Sequence, residues 1–253
     1  MGSAEIVLGP GLAVAAGLAV VVAAGVARWA HLGTSRLAVV AAARAVAQLG
    51  AVSLLIGAIV GSVWLSAAFV LVMIVVAAYT AARRITPDRS GWWSALPIAA
   101  APLPVTALLV LGGVVPPEGI AVIPMAGILI GGTMTATALG GRRALDELEA
   151  RHGEYEAALS LGLLERDACM EIARPSAGHA LVPAMDQTRT VGLVTLPGAF
   201  VGMLLGGASP IEAGAVQVLV LLLLLAVETV AVATMLELVC RGWVRRPARA
   251  TAS

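Results

Sequence analysis

The sequence predicts an all-α protein: a polytopic transmembrane helical bundle of about seven spans. Three observations predict it. The 253 residues are 60% apolar and only 12% charged, with mean hydropathy +0.97, whereas soluble domains are nearer half apolar and a quarter charged. The apolar residues fall in blocks of about 20, the length that crosses a hydrocarbon core of roughly 30 Å. Leu, Val, Ala and Ile fill these blocks without period-2 alternation, which argues for helices over an outer-membrane barrel.

Seven blocks follow in order: Ile6–Ala27, Leu37–Ile59, Val63–Ala82, Trp93–Gly112, Ile120–Leu139, Val191–Gly206 and Ile211–Cys240. The first lacks a basic leading region and is long enough to span, so it reads as a mature helix rather than a cleaved signal. The fourth is dotted with Pro97, Pro102 and Pro104, and the sixth is broken by Pro197-Gly198. Such breaks are tolerated where neighbouring helices satisfy the freed backbone groups. Residues 1–253 read as one transmembrane domain that includes a cytoplasmic segment over 140–189.

Orientation follows from arginine. Connectors after blocks one, three, five and seven carry Arg28 and Arg36; Arg83, Arg84 and Arg89; Arg142 through Arg189; and Arg241, Arg245, Arg246 and Arg249. The other side carries only Glu5, Glu118 and Glu212. The positive-inside rule then places the N-terminus outside and the C-terminus in the cytoplasm. Cys169 and Cys240 face the reducing side and have no metal-ligand spacing, so no disulfide is expected.

Net charge is +1 and every cation is Arg, with no Lys in the chain. No pull toward nucleic acid follows. A P-loop of the form G-x-x-x-x-G-K-[ST] is excluded, because its Lys supplies the charge on the phosphates. Neither H-E-x-x-H nor G-x-S-x-G occurs, so no hydrolase reading stands and the chain is not expected to be an enzyme.

The connector Gly140–Arg189 is the longest, at about 50 residues. "RRALDELEARHG" reads as block five's helix continuing into the cytoplasm. "EYEAALSLGLL" puts Tyr155, Ala158, Leu159 and Gly162 at i, i+3, i+4, i+7, an amphipathic stripe. Gly162 suits a helix end or tight bend. Asp167 suits the cap of a second short helix through Ile172, which should stop by Pro175.

Several intramembrane polar residues stand out. Arg44 and Gln48 share one face of block two, and Glu228 lies in block seven. An intramembrane ion is a functional-site hypothesis by default. Arg44 reads either as a clamp, snorkelling or paired with Glu228, or as path-lining. Thr133, Thr135, Thr137 and Thr195 offer hydroxyls. Met125, Met134 and Met203 offer soft thioethers, although Met is more often packing filler. Asp186, Gln187 and Arg189 mark the inner mouth of block six, either as a solvated helix entrance or as a gate. Gly198, Gly202 and Gly206 form a small-xxx-small face, suited to a dimer seam or to packing within one chain. His31, His152 and His179 are isolated and read as solvated.

"EAALSLG", Glu156 to Gly162, followed by Ile172 and Pro175, resembles the EAA loop of ABC-transporter permeases. A narrower resemblance covers most of the chain. "IPMAGILIGGTMTAT", "PAMDQTRTVGLVTLPG" and the residues through Gln217 resemble the FetB-type permease family, which includes the bacterial iron-export permease and the plant aluminium-sensitivity permease. It is strong from about Ile123 to Gln217. One departure is Gly132, where the family pattern has an Asn.

The resemblance implies the permease subunit of an ATP-driven transporter in the bacterial inner (plasma) membrane, working as a homodimer. ATP and Mg would bind a separate ABC ATPase, with no cofactor on this chain. Glu156, Ala157, Ala158, Gly162, Ile172 and Pro175 would carry the coupling contact. Arg44, Gln48, Thr133, Met134 and Glu228 would shape the path, with Glu228 and Met134 as metal-ligand candidates. The substrate is expected to be a metal ion, iron, moving outward; the alternatives are another solute such as a nucleotide sugar, or an ion-coupled secondary transporter.

Overall fold

The computed structural model describes residues 9–247. Glu5, Arg249 and the start of block one lie outside them. Among the described residues eleven α-helices follow in order: α1 (Pro10–Trp29), α2 (Ser35–Ile59), α3 (Val63–Ile85), α4 (Ala95–Ala100), α5 (Pro102–Leu111), α6 (Gly119–Ala150), α7 (His152–Ser160), α8 (Glu165–Gly178), α9 (Val182–Thr190), α10 (Gly198–Leu205) and α11 (Pro210–Cys240). Among the described residues the only β feature is an isolated bridge between Val191 and Thr195. The protein is an all-α, multi-pass membrane protein.

The chain divides into two compact units, Met1–Ile59 and Val60–Ser253. In the first, α1 and α2 form a hairpin. Pro10 opens α1, where its missing N–H costs nothing. The turn is made by His31 and Gly33, both at positive φ (53° and 69°). Ala27 is the only buried residue of α1, and Val21, Val22, Leu49 and Leu54 are exposed. A helix pair this apolar and this uncovered suits lipid, not water.

In the second unit α3, α6 and α11 run parallel. A methyl group on Gly127 would lie 3.0 Å from Met73 Cε, and one on Gly141 3.3 Å from Ile85 Cδ1. Numbers on α3 and α6 therefore rise together. Against α11, Gly132 faces Leu224 and Glu228, Gly140 faces Val232, and Gly141 faces Met235. Small residues along α6 let both neighbours approach closely. The fully buried Leu129, Met235 and Val227 fill the α6–α11 seam.

Parallel neighbours need returning segments between them, and both returns are broken. The first is a 3-10 turn, Arg89–Ser94, then α4 and α5. Asp88 starts it by accepting the Ser90 N–H at 2.7 Å. Ser94 Oγ donates to Ala78 O at 3.3 Å, and Leu103 and Thr106 share a cavity with Ser66 and Val70, so this return is antiparallel to α3. The second is α9 and α10. Block six is broken at Pro197-Gly198 as expected, and of Val191–Gly206 only Gly198–Leu205 is helical. Gly192 takes φ 85°, and Thr190 O closes the end of α9 by accepting the Val194 N–H at 2.9 Å. Pro197 then precedes the start of α10. Among the described residues six helical stretches are long and apolar enough to cross a membrane, one of them Arg89–Leu111.

Three further expectations are corrected. α8 runs through Pro175 to Gly178. The proline removes only the bond to the Glu171 carbonyl, and Glu171 is exposed, while Ile172, Ala173 and Ala177 remain buried and hold the helix. Leu164, not Asp167, occupies the cap of α8; Asp167 sits in the first turn, where the helix dipole favours it. Finally, Cys169 and Cys240 form a disulfide, with Cα atoms 5.3 Å apart. Packing of α8 over the end of α11 sets that distance, well inside the range a disulfide bridges, and sequence separation could not reveal it.

The segment after α11 folds back as a strap. Val244 is buried, and Trp243 packs against Trp93 with ring centroids 4.7 Å apart and planes tilted by 45°. Thr86 Oγ1 donates to Arg245 O at 3.0 Å. Arg246 pairs with Asp146 (2.6 Å) and Glu149 (3.0 Å) on the last turns of α6.

Candidate coupling segment and intramembrane polar residues

α6 is 32 residues long, about 48 Å at 1.5 Å per residue. That exceeds a hydrocarbon core of about 30 Å, so its last turns stand clear of the membrane. These turns carry Arg142, Arg143, Asp146, Glu147 and Glu149. Arg151 joins them to α7. Its guanidinium donates to Glu154 at 2.8 Å and reaches Glu147 at 3.4 Å. The hydrogen bond from Arg151 holds the Glu154 carboxyl below its ordinary pKa.

On α7, Glu156 and Ala157 are exposed while Tyr155, Ala158 and Leu159 are half-buried against the body. Burial raises the Tyr155 pKa, with the Glu165 charge adding to the effect. Gly162 follows at φ 91°, a left-handed bend that a residue with a Cβ adopts only under strain. The resulting helix–bend–helix presents Leu161, Leu163 and Leu164 outward, at 82%, 40% and 72% exposure. Acidic and basic residues flank this apolar tip. Sequence reasoning singled out Gly162 but missed the leucines; the signal was "LGLL" lying between two charged runs.

α8 makes the tip part of the membrane body. Ala168, Cys169, Met170, Ile172, Ala173 and Ala177 are buried. Besides the disulfide, Arg166 forms a two-pronged bond to Glu237 with both distances 2.8 Å. Glu237 also accepts from Arg241 at 2.6 Å. This clamp, which the sequence reading did not foresee, ties α8 to the last turn of α11. Pro175 is exposed and Ile172 is buried in the α8 seam.

Among the described residues the buried polar side chains of the helical body include Thr133, Thr137, Gln217 and Glu228. Thr133 and Thr137 are fully buried on α6, and their hydroxyls have no hydrogen-bond partner among the described residues. Thr135, by contrast, donates to Gly131 O at 3.0 Å. Glu228 is buried on α11 beside Gly132. Gln217 lies on the same face, eleven residues or three turns earlier, and its buried carbonyl oxygen also lacks a donor. That spacing was readable and not used. Met134 is half-buried against the core. Buried polar atoms without partners are rare and mark places held for water, ion or substrate. Among the described residues no three His, Cys, Asp or Glu side chains are grouped closely enough to hold a metal ion.

The remaining candidates are placed separately. Arg44 and Gln48 are exposed on α2. Asp186 and Arg189 pair at 3.8 Å on exposed α9, beside exposed Gln187. A methyl group on Gly198 or Gly202 would meet nothing within 4 Å, and one on Gly206 would meet only carbonyls of its own helix. Among the described residues nothing packs on the Gly198 and Gly202 face.

The model of the family described as "Uncharacterised protein family (UPF0014)" matches residues 11–244. The chain is 35% identical over 204 residues to the UPF0014 membrane protein STAR2 of Oryza sativa subsp. japonica, covering 79% of this chain and 71% of that protein. It is 36% identical over 168 residues to the protein ALUMINUM SENSITIVE 3 of Arabidopsis thaliana, covering 66% and 61%. With the probable iron export permease protein FetB of Escherichia coli it shares 35% identity over 123 residues, 47% of this chain and 46% of that one. No solved structure matches. The family match takes in every helix from α2 through α11 and nearly all of α1, and the chain belongs to the UPF0014 family.

Proposed function

We propose that the chain is the permease subunit of an ATP-driven ABC exporter in the bacterial inner membrane, working as a homodimer with a separate ATPase. The observation that carries this reading is the α7–Gly162–α8 tip. It is an exposed apolar knob on a rigid mount, the form expected of a helix that inserts into a partner's groove. A push on Leu161 or Leu164 would pass through the α8 clamp into α11, on which Glu228 lies. ATP and Mg belong to the partner in this reading.

Iron moving outward is the proposed substrate, supported by the name of the Escherichia coli relative. The open face of Gly198 and Gly202 supports a second copy as the neighbour of α10. A second reading, ion-coupled secondary transport, is favoured by Glu228, the single buried carboxylate among the described residues.

The test is co-purification of the ATPase partner with the membrane-inserted chain. Gly162→Arg or Ala158→Glu should abolish it while membrane insertion persists; normal co-purification with both variants would refute the docking reading. Export in vesicles lacking any ATPase would support the ion-coupled reading instead. Cells without the protein should retain more iron under iron load. Unchanged iron with another solute altered would remove the metal and leave the ABC mechanism.

A further inference from the structure

We propose that a groove between α3 and α6 binds the headgroup of an anionic phospholipid. The groove has a volume of about 350 Å³ and is lined by Arg84, Thr135, Ala138, Leu139 and Arg142. Two guanidinium groups from different helices converge on it. Neither Arg84 nor Arg142 has an acidic partner within 4 Å among the described residues, whereas Arg246, on the neighbouring strap, has two. The Thr135 hydroxyl is committed to Gly131 O, so the two cations dominate the site's polar character.

The position of the groove identifies the ligand. Arg84 lies in the last turn of α3, and Arg142 lies where α6 passes from apolar to charged sequence. The floor of Ala138 and Leu139 is apolar. A cationic rim over an apolar floor, at the level where helices leave the hydrocarbon, matches a phosphate joined to an acyl chain. Basic pockets between transmembrane helices on the positive side take such headgroups. A soluble anion would use the rim and leave the floor idle. This proposal depends on membrane insertion alone and not on the transport mechanism.

The test is native mass spectrometry of the full chain in detergent, with phosphatidylglycerol or phosphatidylcholine added. The parent should retain phosphatidylglycerol about tenfold more strongly. Arg84→Gln/Arg142→Gln should erase that preference, while Arg28→Gln/Arg36→Gln, an equal charge loss on α1 and α2, should keep it. If the groove double variant does not extract as folded protein, the single variants carry the test, each losing about threefold. Leu139→Trp, which fills the floor and keeps both charges, should also weaken retention. Equal retention of the two lipids, a preference that survives the groove double variant, or displacement by millimolar inorganic phosphate would overturn the proposal. So would a change in dimer fraction in place of lipid retention.

Discussion

Glu228 occupies the space above Gly132: a methyl group on Gly132 would lie 2.5 Å from Glu228 Oε1 and would also strike Leu224 Cδ1. The carboxyl of α11 lies against bare backbone of α6. Here the resembling family pattern has an Asn on α6, and in this chain the polar groups near this level are Glu228 of α11 and the buried Thr133 of α6. Gly132→Leu should force Glu228 and Leu224 out of their places. Overpacking of this kind costs about 1–3 kcal/mol, and melting in detergent should fall by several degrees. Adding Glu228→Ala should recover part of that loss, because it vacates the contested space. Losses that simply add would show that the two residues do not share it.

Leu161 and Leu164 make almost no contact within the chain. Replacing both with Ser should leave the melting temperature within about 1 °C, since exposed substitutions rarely exceed 0.5 kcal/mol. ATPase co-purification, however, should fall steeply if these leucines fill a partner's groove, because buried anchors dominate such interfaces. Stable protein that still captures the ATPase would separate the knob from the docking function.

The arginine argument would put the Cys169–Cys240 bond on the cytoplasmic side, where disulfides seldom persist. Both residues are buried, at 4% and 6% exposure, which shelters the bond from reductants. Protein unfolded without reductant should take up no maleimide, and two equivalents after reduction. Two labels without reduction would mean the pair exists as thiols. Cys169→Ala should cost about 2–4 kcal/mol of stability, given the 71-residue separation that the bond closes.

Helix class was legible because hydrocarbon thickness and backbone hydrogen bonding leave few options for blocks of this length. Gly162 was legible because only a residue without a Cβ bends freely at positive φ. Gln217 was legible in principle, three turns from Glu228, yet period-matching along α11 was needed to see it. The disulfide and the Arg166–Glu237–Arg241 clamp were not legible. Each joins α8 to α11 across about seventy residues, and no local spacing encodes that docking. Pro175 misled for a related reason: its local preference is to stop a helix, and tertiary burial of Ile172, Ala173 and Ala177 overrode it. The break in block six was visible as Pro197-Gly198, but its apolar composition still read as a span.

The parallel order of α3, α6 and α11 makes a prediction about topology. Six stretches are long enough to span, and six crossings would put the two ends of the chain on one side. Yet α6 and α11 run the same way, so the chain must return between them, and only residues 151–209 are available to do so. α9 and α10 together cover residues 182–205, long enough to cross if the turn between them lies within the membrane. Seven crossings then follow, with Arg83, Arg84, Arg142, Arg143, Arg241 and Arg245 all at one end. The charge rule assigns that end to the cytoplasm. In the Cys169→Ala/Cys240→Ala background, single cysteines at Gly113 and Gly207 should react with a membrane-impermeant maleimide from outside intact cells. Those at Arg89 and Gly162 should react only after the membrane is opened. Labelling of Gly207 and Gly162 from the same side would mean that α9 and α10 do not cross.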